Sequence, residues 1–142
     1  MFRFADLESI LAVRRSLLRL TSRRELREQI GDMTTPFYND LQDLETTCLL
    51  RLSEAARQHE QSQIALNSVT AAKRLKSSLQ FEVAQEFAKV LWLIKEPKYA
   101  VDHLRTVLTG LEHNTSDEKL RKALLLTELV RCNPSIRLHC PT

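Results

Sequence analysis

The chain has 142 residues, 43% hydrophobic and 27% charged, with a formal net charge of +3. That is enough for one modest domain, and two glycines with four prolines leave too few chain breakers for a β-rich or loop-rich fold. No apolar run reaches the roughly 18 residues of a membrane helix, no secretory leader pattern opens the chain, and Cys48, Cys132 and Cys140 are spaced like reduced thiols, so a soluble intracellular protein is expected.

A first helix is expected from Asp6 to Leu20, capped by Asp6, with Leu7, Ile10, Leu11, Leu17 and Leu18 on one stripe. Thr21 or Ser22 starts a short, highly charged helix; Ser22 and Glu25 have capping-box spacing, and Gly31 suits the stop. Thr35-Pro36 pairs a capping hydroxyl with a proline at the first helical position, so a long helix should follow to about His59, burying Leu41, Leu44, Cys48, Leu52, Ala55 and Ala56. Glu60-Gln61-Ser62 reads as a connection to a helix over Gln63–Leu75, with Ile64, Leu66, Val69 and Ala72 inward.

After the break at Ser77-Ser78, a helix over Leu79–Lys95 carries Phe81, Ala84, Phe87, Ala88, Leu91 and Trp92. Glu96-Pro97 closes a turn into a partner helix over Pro97–Thr109, which buries Tyr99, Ala100, Leu104 and Leu108 and ends near Gly110. Thr115 and Glu118 have capping-box spacing and open a last helix to about Arg131, with Leu120, Leu124, Leu125 and Val130 on its apolar side. The tail from Asn133 is expected to be irregular.

Shifting the chain by 35 residues aligns Leu52 with Phe87, Ala56 with Leu91, Ile64 with Tyr99, Ala65 with Ala100, Leu66 with Val101 and Val69 with Leu104. An alanine early in each second helix permits the close approach that larger side chains would prevent. The expected fold is all-α: antiparallel helix pairs stacked as a tetratricopeptide-like α-solenoid of about seven helices. The usual tetratricopeptide signature, Trp-x-x-Leu-Gly-x-x-Tyr, is missing. The organisation expected is N-terminal helices of the same array over 1–34, a helical-repeat segment over 35–132 and a tail over 133–142.

Nothing in the chain has the spacing of a catalytic site. There is no glycine-rich phosphate loop, no His-Arg-Asp or Asp-Phe-Gly, and no His-Glu-x-x-His. Cys132, His139 and Cys140 are metal-ligand types but lack a fourth ligand and a metal-site spacing, so no metal or cofactor is expected. His59 and His103 read as packed or half-exposed histidines, and Trp92 as a packing aromatic, with a partner anchor as its alternative. Ser62-Gln63 lies at a turn where a phosphate could approach a helix start. Arg14, Arg15, Arg19, Arg23, Arg24 and Arg27 could form a basic stretch for nucleic acid. Acids interleave it, as in Arg23-Arg24-Glu25-Leu26-Arg27-Glu28, so a solvated helical face is the simpler reading.

Glu86, Ala88, Trp92, Glu96, Ala100 and Leu104 stand in a spacing that resembles the Glu-x-Ala-x-x-x-Trp-x-x-x-Glu-x-x-x-Ala-x-x-x-Leu pattern of the FAT region of ATM-type protein kinases, members of the phosphatidylinositol-3-kinase-related family. Leu52-Ser53 with Ala56-Arg57 is similar to the Leu-Ser-x-x-Ala-Arg stretch that precedes it there. The resemblance is best over Leu49–Leu108 and implies packing roles for Leu52, Ala56, Ala65, Glu86, Ala88, Trp92, Glu96, Ala100 and Leu104. It further implies a non-catalytic scaffold piece of a large nuclear serine/threonine kinase of the DNA-damage response and telomere maintenance. The expected partners are neighbouring helical repeats, the parent's kinase domain and a second copy. ATP and magnesium would belong to the parent, whose kinase domain and FATC segment lie downstream of the FAT region. A free-standing tetratricopeptide-like adaptor for protein partners is the alternative.

Overall fold

The computed structural model describes residues 3–21, 34–110 and 116–132. Six helices occupy them: α1 (Phe4–Thr21), α2 (Thr34–Gln58), α3 (Ser62–Lys73), α4 (Gln80–Leu93), α5 (Pro97–Thr109) and α6 (Ser116–Cys132). No strand occurs among the described residues. The short helix expected over Ser22–Gly31, the Thr115 cap and the tail from Asn133 lie outside them. The chain forms two compact units that divide within α4, between Val83 and Ala84.

In the first unit, α1 packs on α2 and α2 packs on α3. The helix begins two residues before the expected start. The amides of Asp6 and Leu7 both donate to the Arg3 carbonyl, at 3.1 and 3.2 Å. Arg3 therefore holds the capping position, and Asp6 sits in the first turn, where its charge suits the exposed amide ends. The ring of Phe4 meets His59 with centroids 5.5 Å apart, and Arg15 reaches Glu45, so α1 runs antiparallel to α2. Leu11 is buried in this contact and Leu7 and Leu18 are half-buried, but Ile10 and Leu17 are exposed. The contact line is Phe4, Leu7, Leu11, Arg15 and Leu18; Ile10 and Leu17 lie on the next line around the helix.

Helix α2 is covered on two sides, and its buried arc centres on Leu49, Glu45 and Ala56. Leu41, Cys48 and Ala55 extend the arc, Leu52 is half-buried, and Leu44 falls just past its edge into solvent. The buried hydroxyl of Thr46 donates to the Gln42 carbonyl at 2.8 Å, and Ser68 on α3 does the same to Ile64 at 2.7 Å, so these polar side chains cost little inside the pair. On α3 the inward residues are Ala65, Ser68, Val69 and Ala72, with Ile64 and Leu66 half-buried at the flanks.

In the second unit α5 packs on α6, and the rings of Phe87 and His103 meet edge-on at 4.9 Å, joining α4 to α5. Ala100 and Leu104 face inward from α5, and Leu125 from α6. Tyr99, expected inside, is exposed; Leu120 and Leu124 of α6 are exposed as well, and Trp92 is 39% exposed. Tyr99 and Trp92 each adjoin a buried residue, Ala100 and Leu91, and stand about 100° around the helix from it, where an aromatic with a polar tip tolerates water.

Candidate functional site

The two helix pairs share more than an apolar pattern. Three residues, His59, Glu60 and Gln61, connect α2 to α3, and three residues, Ile94, Lys95 and Glu96, connect α4 to α5. Glu60 and Lys95 are the described non-glycine residues with positive φ, at 58° and 63°. Beyond them, the Gln61 amide donates to the Ala56 carbonyl at 2.8 Å and the Glu96 amide to the Leu91 carbonyl at 2.9 Å. The amides of Glu60 and Lys95 donate to Arg57 and Trp92, at 3.2 and 3.1 Å. These are two Schellman caps, and every participant in one stands 35 residues from its counterpart in the other.

Each cap leads directly into the next helix. Ala65 donates to the Gln61 carbonyl at 3.0 Å and Ala100 to the Glu96 carbonyl at 3.2 Å, which places the two alanines equivalently. Both have no exposed surface, and neither do Val69 and Leu104 one turn on, nor Ser53 and Ala88 on the preceding helices. In the packed pair of α2 and α3, the small residues Ser53, Ala56 and Ala65 allow the close approach of helix crossings, about 8–10 Å between axes. Of the other residues singled out by their spacing, Ala56 is fully buried, Glu86 is buried, and Leu52 is half-buried. Glu96 is exposed at the N-cap of α5 and makes no side-chain capping bond.

The arginine stretch near the N-terminus does not present a single face. Arg15 Nε donates to Glu45 Oε1 at 3.3 Å, and Arg19 Nε lies 3.9 Å from the same oxygen. Arg15 is thus turned towards a carboxylate only 5% exposed, while Arg19 stays largely in solvent near the same oxygen. Arg14 is exposed, while Arg23, Arg24 and Arg27 lie outside the described residues. Beside the exposed Arg14 and Arg19, α1 offers solvent an apolar line: Ile10, Val13, Leu17 and Leu20 are each 46–60% exposed and recur at three- and four-residue spacings.

Among the described residues, no group of three or more His, Cys, Asp or Glu side chains could hold a metal ion. Cys132 ends α6, and His139 and Cys140 lie outside the described residues. Cys48 is a buried free thiol. No helix among the described residues is long and apolar enough to cross a membrane. The Glu45 anchor escaped sequence reasoning because its partners are 26 and 30 residues away, and a buried carboxylate leaves no mark on an apolar repeat.

A family model for the FAT domain matches residues 3–135. The chain belongs to the FAT domain family. The match takes in α1 as well as the repeated helix pairs. Over 109 residues, 75% of its length, the FAT chain is 34% identical to the serine/threonine-protein kinase TEL1 of Cryptococcus neoformans var. neoformans serotype D, strain B-3501A. It is equally similar to the TEL1 of strain JEC21. The aligned FAT segment spans 4% of the length of each of these kinases. No solved structure matches the chain.

Proposed function

We propose that this FAT chain is a non-catalytic scaffold segment of an ATM-type serine/threonine kinase. The observation that carries the reading is the helix pair repeated with its cap 35 residues on, inside a FAT-family match. Such pairs bury one face internally and offer the other to the next pair, so their chemistry is packing. The apolar line of Ile10, Val13, Leu17 and Leu20 on α1 is the face on which a neighbouring repeat of the same long polypeptide packs. The kinase domain of the parent and a second copy are the further partners, and ATP and magnesium are bound by the parent outside this segment. The relationship to TEL1 kinases supports a nuclear role in DNA-damage signalling and telomere maintenance.

An antibody raised against residues 49–108 tests the reading. It is expected to detect a polypeptide many times larger than the 16.4 kDa of this chain, and its immunoprecipitate is expected to phosphorylate serine or threonine with added Mg-ATP. A sole band at 16.4 kDa, with no kinase activity in the precipitate, would overturn it in favour of a free-standing adaptor.

A further inference from the structure

The turn between α3 and α4 is held by side chains. No backbone-to-backbone bond involves the amides of Lys76, Ser77 or Ser78. Instead the Ser78 amide donates to Asp43 Oδ1 at 2.8 Å, and the Ser78 hydroxyl donates to Asp43 Oδ2. Ser77 Oγ accepts from the Leu79 amide at 3.0 Å, and the Gln80 side-chain amide donates to the carbonyls of Leu75 and Ser77, at 2.9 and 3.3 Å. Asp43 belongs to α2, so its carboxylate ties this turn to a helix of the same unit. The bonds from Ser78 and Ser77 outweigh its partial burial and hold its pKa below the ordinary value, so the carboxylate is charged at neutral pH.

The turn has a second property. The sequence before it reads Lys73-Arg74-Leu75-Lys76-Ser77-Ser78, with Lys73, Arg74 and Lys76 exposed. Ser77 is buried, whereas Ser78 is exposed. Arg74 stands three residues before Ser77 and four before Ser78, so the basic run addresses both serines, but Ser77 is buried and Ser78 presents the exposed hydroxyl on this non-helical turn to the acidic substrate groove of an arginine-directed kinase. We infer that Ser78 is a phosphoacceptor for a basophilic serine/threonine kinase, and that its phosphorylation releases the α3–α4 turn from Asp43. The inference is independent of the scaffold reading.

In the transfer, Ser78 Oγ attacks the γ-phosphorus of Mg-ATP. A new oxygen–phosphorus bond forms, the bond from γ-phosphorus to the β,γ-bridging oxygen breaks, ADP leaves, and the hydroxyl proton passes through the kinase to solvent. The product has lost the donor that Asp43 used and carries about 1.5 to 2 negative charges beside that carboxylate. The remaining bond from the Ser78 amide is opposed by the repulsion. Helix α4 persists, because a phosphate just before its first turn complements the exposed amide ends.

The 142-residue chain treated with the catalytic subunit of cAMP-dependent protein kinase and Mg-ATP tests this. Mass spectrometry should place one phosphate on Ser78. It should vanish in Ser78→Ala, which keeps the backbone donor, and form about tenfold more slowly in Arg74→Ala. Hydrogen exchange across residues 78–80 should speed up by about tenfold to a hundredfold, the size expected for losing a hydrogen bond to a charged acceptor, with helical circular dichroism unchanged. In Asp43→Asn the same phosphate should change exchange much less. Failure to label Ser78 in the chain while a peptide of residues 73–80 is labelled at Ser78 would overturn its accessibility, and a peptide labelled at Ser77 alone, or not at all, would overturn the recognition. Labelling without faster exchange, or with equal effect in Asp43→Asn, would overturn the release.

Discussion

Ala65 and Ala100 have no exposed surface and sit one turn after equivalent caps, so neither has room for a larger side chain. Ala65→Leu and Ala100→Leu are expected to lose about 1–3 kcal/mol each through overpacking, read as lower urea midpoints. Arg15→Ala leaves the buried carboxylate of Glu45 with only the more distant Arg19. A loss of about 1–2 kcal/mol is expected, below the full cost of breaking a buried pair because Arg15 is one-third exposed. Asp43 adds a pH signature. Its pKa is lowered in the folded chain, chiefly by the Ser78 hydroxyl, so the unfolded chain binds more protons just below the ordinary aspartate value of 3.8. Its stabilising contribution is complete above that value and is lost as pH falls through the folded pKa. Asp43→Asn should flatten that part of a midpoint-versus-pH series. The alanines were legible in the sequence because a 35-residue shift superimposes them. The Arg15–Glu45 and Asp43–Ser78 contacts were not, since polar pairs far apart in the chain carry no period.

At the scale of elements, the caps invert the usual distribution of glycine. The positions with positive φ, Glu60 and Lys95, hold charged residues with a Cβ, while Gly110 ends α5 with φ of −77°. A Cβ at Gly110 would meet its nearest atom, the Val107 carbonyl oxygen, at 3.5 Å, an ordinary contact. Glu60→Gly and Lys95→Gly should therefore each stabilise by roughly 0.5–1 kcal/mol, the relief of left-handed strain being partly offset by a freer unfolded chain. Gly110→Ala should gain about 0.4–1 kcal/mol for the opposite reason. Thermal unfolding of the three variants checks both signs. Helix boundaries were legible where chemistry marks them: Pro97 and Gly110 bracket α5, and its observed span, Pro97–Thr109, is the expected one. They were less so at α1, where an Asp in the first turn imitates a cap. The facing of Tyr99, Leu44 and Ile10 was misjudged because each lies one position off a buried line, and hydropathy does not resolve the edge of an arc.

For the whole molecule, the exposed line on α1 has a measurable consequence. With no neighbouring repeat present, the isolated chain should self-associate through Ile10, Val13, Leu17 and Leu20. Val13→Ser with Leu17→Ser should shift sedimentation towards monomer while helix content is kept, and unchanged association would place the sticky face elsewhere. The all-helical class was legible from the paucity of breakers and the repeat. Which faces remain uncovered was not, because an apolar stripe reads alike whether its partner lies in the same chain or beyond it.

The three-residue connections carry a further consequence for how the chain is made. Each cap and the contacts it starts join residues close together in sequence, so a hairpin can close without waiting for distant segments. Low contact order of this kind goes with folding in about microseconds to milliseconds. A ribosome adds only about 5–20 residues per second. Each hairpin therefore has time to form before the next has emerged, and an array built this way can assemble in the order of its synthesis.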